Sequence, residues 1–62
     1  MIQKVSRGVV VGCTLIHDVA ECDGLINMAH WQYGMAREHG DANSAEMWDY
    51  LARRYREARK LF

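Results

Sequence analysis

Residues 18–48 read DVAECDGLINMAHWQYGMAREHGDANSAEMW, and the fold turns on how this stretch divides. Asp18 and Glu21 have the spacing of a capping box, with aspartate in place of the usual serine or threonine. Asp23 adds an acid near the positive end of a helix macrodipole. Together they predict a helix over about 18–39, stopped by the glycine of His39–Gly40. Asn43 and Glu46 repeat the capping spacing, so a second helix is expected over about 43–61. Its bases fall in the last turns, where the macrodipole favours them. A link as short as GDAN makes the two helices an antiparallel hairpin. Gly24 and Gly34 each weaken the first helix by about 1 kcal/mol relative to alanine.

Upstream lies GVVVGCTLIH, residues 8–17. Its three valines, Thr14 and Ile16 favour extended structure, and its two glycines disfavour a helix. The expected fold is therefore mainly α: a two-helix hairpin preceded by a short β-like segment over about 8–16. The chain of 62 residues makes one small domain, 1–62. A domain of this size buries only ~60% of its unfolded surface, and completion by oligomerisation is expected.

Two stripes run along the first helix. Val19, Cys22, Ile26, Ala29, Tyr33 and Ala36 step by threes and fours and should meet the second helix. Ala20, Gly24, Met28, Trp31 and Met35 step the same way on nearly the opposite side. One hairpin partner covers one stripe only. The second stripe is left for the valine segment, a second copy of the chain, or another protein. Ala20 and Gly24 permit close backbone approach, and methionine and tryptophan suit adaptable or anchoring contacts. In the second helix Met47, Trp48, Leu51, Tyr55, Ala58 and Phe62 form the core arc.

The formal net charge is zero but strongly segregated: +2 over residues 1–16, −6 over 17–49 and +4 over 50–62. Asp49–Arg53 and Arg53–Glu57 are i,i+4 pairs on the outer face of the second helix. Folding about residue 41 brings Arg59 to Asp23 and the basic tail to the acidic start of the first helix (Asp18, Glu21, Asp23). The segregation then becomes complementarity across the hairpin. Arg54 and Arg59 border the apolar arc, where an arginine stem can lie on apolar surface and its head can reach a carboxylate.

No nucleophile–base–orienter constellation, phosphate-binding glycine loop or metal-ligand spacing emerges from Cys13, His17, Cys22, His30 and His39. No catalytic residue, metal or cofactor is expected. The apolar run after Arg7 is too short for a secretory core and no segment is long enough to span a bilayer. With two unpaired cysteines, that points to the cytoplasm.

The leading expectation is a non-enzymatic interaction protein, an inhibitor or adaptor of the kind viruses also encode. It would be dimeric and would bind another protein through Ala20, Gly24, Met28, Trp31 and Met35. Tyr50, Arg53, Arg54, Arg56, Arg59 and Lys60 are candidate partner or ligand contacts, an anionic nucleotide included. A strand–helix–turn–helix order resembles ribbon-helix-helix repressors, and HGDANSAEMW (39–48) is similar to that family's turn and second-helix start. The resemblance implies a DNA-binding dimer. Its strand would read DNA with polar and basic side chains, which GVVVGCTLI lacks, and a neutral chain lacks a basic footprint.

Overall fold

A computed structural model describes all residues, Met1–Phe62. Three short strands, β1 (Ile2–Val5), β2 (Gly8–Val11) and β3 (Thr14–Ile16), precede two helices, α1 (Val19–Glu38) and α2 (Ala42–Arg59). The chain is 61% helical, so mainly α is the correct class. The N-terminal segment departs from the expected single strand over 8–16. It is an antiparallel meander in the order β1-β2-β3, and it takes in residues 2–5 as well.

Two two-residue loops make the meander. Val11 pairs with Thr14 across Gly12–Cys13, and Gly12 has φ +61. Glycine at the first central position is the feature that lets a tight hairpin follow the strand twist. Val5 pairs with Gly8 across Ser6–Arg7. Gly8 is at φ +148, and a Cβ there would lie 2.0 Å from the Ile16 carbonyl oxygen. Only glycine lets the strands close at this point. Val9, Val11 and Ile16 point inward and are buried, while Val10 and Leu15 alternate to the half-buried outer row.

The helix boundaries are set by caps. Asp18 accepts a hydrogen bond from the Glu21 amide at 2.8 Å, as its spacing predicts. At the other end Gly40, at φ +70, forms a Schellman closure: its N–H donates to Arg37 O at 3.1 Å, and that of Asp41 to Ala36 O at 2.9 Å. The cap of α2 is Asp41, not Asn43. Its carboxylate accepts from the Ser44 amide at 3.1 Å and the Ser44 hydroxyl at 2.8 Å. A carboxylate directly after the glycine reaches the free amides first, so the helix starts two residues earlier and the link shrinks to 39–41. The helices end at Glu38 and Arg59, short of the expected 39 and 61.

The helices meet through small side chains. Cys22, Ala29 and Ala36 of α1 are buried at seven-residue intervals; Ala45, Ala52, Tyr55 and Ala58 are the buried residues of α2. Cys22, Ala29, Ala52, Tyr55 and Ala58 form one cluster with Val9, Val11 and Ile16, flanked by Ile2, Leu25, Ile26, Trp48 and Leu51. Five expected core positions fall outside it: Val19, Met47 and Phe62 are exposed, Tyr33 is half-buried, and Ala36 is buried in the helix seam. A wheel centred on the large residues places the arc too far round α2; the alanines mark its true centre.

Two predictions follow from the backbone. Gly8→Ala is expected to destabilise the fold by roughly 3 kcal/mol, because its Cβ meets backbone. Gly34→Ala, whose Cβ meets nothing within 4 Å, should stabilise by about 0.5–1 kcal/mol. Urea unfolding followed by circular dichroism separates them; equal effects would refute the close-approach role of Gly8. The second concerns acid. Hydrogen bonds from the Ser44 amide, then the Ser44 hydroxyl, hold the Asp41 carboxyl below its usual range. Its contribution is therefore complete above the unfolded carboxylate range, near pH ~4, and is lost as pH falls through the lower folded value. Asp41→Asn should flatten the acid limb of the stability profile.

Candidate functional site

The second stripe of α1 is not covered by the sheet. The sheet rests chiefly on α2, through β1 and β2. Trp31 stands 64% exposed and Met28 41%; Ala20 and Gly24 are exposed and Met35 is half-buried. All five stripe residues thus lie on a continuous outer face of α1.

This face runs into a groove at the loop end of the hairpin. An open cleft of about 290 Å³ is lined by Trp31, Gln32, Met35, Ala36, His39, Asp41, Ser44 and Trp48. At 100° per residue Ser44, Trp48, Leu51, Tyr55 and Ala58 fall on one arc of α2 roughly 80° wide. At its C-terminal end that arc is buried in the core with the sheet residues; at its N-terminal end it is open and forms the groove wall. The reason is length. α1 has 20 residues, roughly 30 Å, whereas strands of three or four residues extend only roughly 10–14 Å. The sheet backs the basal half of the hairpin and leaves the distal half bare.

A second cleft of about 380 Å³ lies near the same end, lined by Tyr33, Arg37, Gly40, Asp41, Ala42, Ala45, Glu46 and Asp49. Four charged residues, Arg37, Asp41, Glu46 and Asp49, are among its lining, and Arg37 already donates to the Tyr33 hydroxyl at 3.0 Å.

The basic tail is engaged mainly within the chain. Arg59 Nε donates to Asp23 Oδ1 at 2.6 Å, the pairing that folding about residue 41 demands. Arg53 pairs with Asp49 at 3.0 Å. Glu57 pairs with Arg54 at 3.3 Å rather than with Arg53. Arg54 also lies 5.1 Å from the Tyr50 ring centroid, and Tyr50 itself is 53% exposed. Arg56 donates to His30 Nε2, which must be the acceptor because arginine has no acceptor atom. Lys60 has no side-chain partner. Of the acidic start of α1 only Asp23 meets the tail; Asp18 is the cap and Glu21 contacts His17 at 3.2 Å. Lys4, missed as a contact, donates to Leu61 O at 2.6 Å and lies 5.7 Å from the Phe62 ring centroid, tying β1 to the end of α2.

No three His, Cys, Asp or Glu side chains converge, and no helix is long and apolar enough to cross a membrane. Both cysteines are free. Cys13 is exposed in the β2–β3 turn; Cys22 is fully buried and donates to Tyr55 O at 3.2 Å. Burial, reinforced by Asp23 and opposed by Arg59, pushes the Cys22 thiol up. The repressor layout has one strand per chain; here three strands pair within one chain. Comparison with protein-family models, curated proteins and solved structures finds no match.

The two thiols should separate cleanly. Cys13 is expected to be alkylated within minutes in the native protein and Cys22 only after unfolding, as read by mass spectrometry of digests. Equal rates would contradict the buried position of Cys22. The Asp23–Arg59 pair is about half exposed on both sides. A double-mutant cycle should therefore give a small coupling that disappears in high salt.

Proposed function

We propose that this chain is a non-enzymatic protein-interaction module, an inhibitor or adaptor that acts by presenting the distal apolar side of its helical hairpin. One observation carries the reading: alanines fill the helix seam while Met28 and Trp31 stand exposed on the outer face of α1. A monomer that needed these side chains only for its own stability would bury them. Placed outside, a tryptophan and a methionine are the anchoring and adaptable side chains that protein interfaces use. The same reading sets the protein in the cytoplasm, where its two free thiols persist.

The basic tail favours this reading over a nucleic-acid or nucleotide site. Four of its five cations, Arg53, Arg54, Arg56 and Arg59, already contact side chains of their own chain. An anionic ligand would have to displace these contacts.

Affinity capture with the immobilised full chain tests the reading. A bound protein, present with wild type and lost with Trp31→Ala but retained with Arg56→Ala, is the expected result. Capture that survives Trp31→Ala and Met28→Ala and is lost with Arg56→Ala would move the site to the tail.

A further inference from the structure

We propose that the occupant of the uncovered α1 face is a second copy of this chain, packed antiparallel through the same stripe with its centre near residue 30. This rests on the reading of that face as a docking surface and names its partner.

Three observations select a second copy. The first is charge. Within the groove the only acidic or basic residue, histidine aside, is Asp41, whose carboxylate is already held by Ser44. The stripe itself has no charged residue. Glu21 and Glu38 lie at its two edges, and the paired charges Asp49–Arg53, Asp23–Arg59 and Arg54–Glu57 lie on other faces. An isologous interface sets residue i against residue j and j against i, and only residues near the axis meet their own kind, so a stripe uncharged at its centre brings no like charges together on self-pairing. It offers nothing to nucleic acid or an anionic membrane.

The second is shape. The stripe is graded: Ala20 and Gly24 at the N-terminal end, Met28 in the middle, Trp31 and Met35 towards the C-terminal end. Antiparallel self-pairing about residue 30 sets the small N-terminal end of the stripe against its large C-terminal end and brings the large residues of the middle together. Met35 meets the partner's Gly24, and Trp31 meets the partner's Met28. Gly24 then has a role. In the lone chain its missing Cβ avoids no neighbour, since nothing lies within 4 Å, yet it weakens the helix.

The third is the flank. Glu21 and His39 are 18 residues apart, about five turns, and so fall on one edge of the stripe. A two-fold axis perpendicular to both helices keeps that edge on the same side in each copy. It brings Glu21, which is also in contact with His17, opposite the partner's His39. Glu38 lies across the stripe and does not face the partner's Glu21.

The area sets the strength. Only Trp31, 64% exposed, and Met28, 41%, present large apolar side chains on this face, too few to fill the ~800 Å² per partner of a standard stable interface. Association is therefore expected in the micromolar range and should depend visibly on concentration.

Sedimentation equilibrium of the full chain across micromolar to millimolar concentration is the test, with circular dichroism confirming unchanged helix content in each variant. The expected mass rises from 7.2 kDa to twice that value. Trp31→Ala should weaken the dimer at least 10-fold. Gly24→Leu discriminates further. It raises helix propensity and adds apolar surface, so an unspecific sticky patch would associate more strongly, whereas a seat for the partner's Met35 would be blocked and the dimer weakened. A dimer insensitive to both substitutions places self-association elsewhere and overturns the proposal. A strict monomer overturns it too. If Trp31→Ala still abolishes capture of another protein, the docking reading survives; if it changes nothing, both fall.

Discussion

Two helices that meet through alanine cannot also hold tryptophan between them. The seam of Cys22, Ala29 and Ala36 against Ala45 and Ala52 draws the backbones together, and side chains this small leave no space for a larger one. The bulky apolar residues are displaced to either side. Near the base they find cover: Leu25, Leu51 and Tyr55 pack towards Val9, Val11 and Ile16. Near the loop there is no sheet to reach, and Trp31, Met35 and Trp48 frame a groove instead. Alanine burial contributes little per residue, so most of the apolar stabilisation is concentrated at the sheet end. The loop end is held by its caps: the Schellman closure at Gly40 and the Asp41–Ser44 bonds.

The charge layout follows the same geometry. An antiparallel hairpin returns the end of the chain to its beginning, so acids placed early in α1 and bases placed late in α2 become neighbours. Asp23 and Arg59 use this; Lys4 of β1 reaches the Leu61 carbonyl just past α2, near the carbonyl end of the macrodipole, which favours a cation. These contacts are exposed. They orient the ends of the elements more than they stabilise the fold.

Much of this was legible in the residues. Both helices, their short link, the Asp18 cap, the Asp23–Arg59 meeting and the doubly apolar character of α1 follow from spacing alone. The meander was not. Three consecutive valines hide the alternation in which Val9 and Val11 face in and Val10 faces out. The loops Ser6–Arg7 and Gly12–Cys13 lack the Asn-Gly or Asp-Gly signal that marks most tight hairpins. Capping-box spacing favoured Asn43 because Glu46 follows it by three, whereas the structure uses an aspartate whose third neighbour is a serine. The true centre of the seam was missed for a related reason. Periodicity arguments weight large apolar residues, and here alanines mark the contact.

That inversion bears directly on function. Rotating α2 to bury Met47, or α1 to bury Trp31, would place large side chains in the seam, push the helices apart and break the Cys22–Tyr55 contact that closes the base of the core. Lengthening the sheet is no remedy either, because Gly8, with its Cβ position against the Ile16 carbonyl, and the loop at Gly12–Cys13 fix short strands. A chain limited to this seam and this sheet can complete only half of its hairpin. The distal half stays open, and the residues that make the seam tight are the same ones that leave Trp31 exposed.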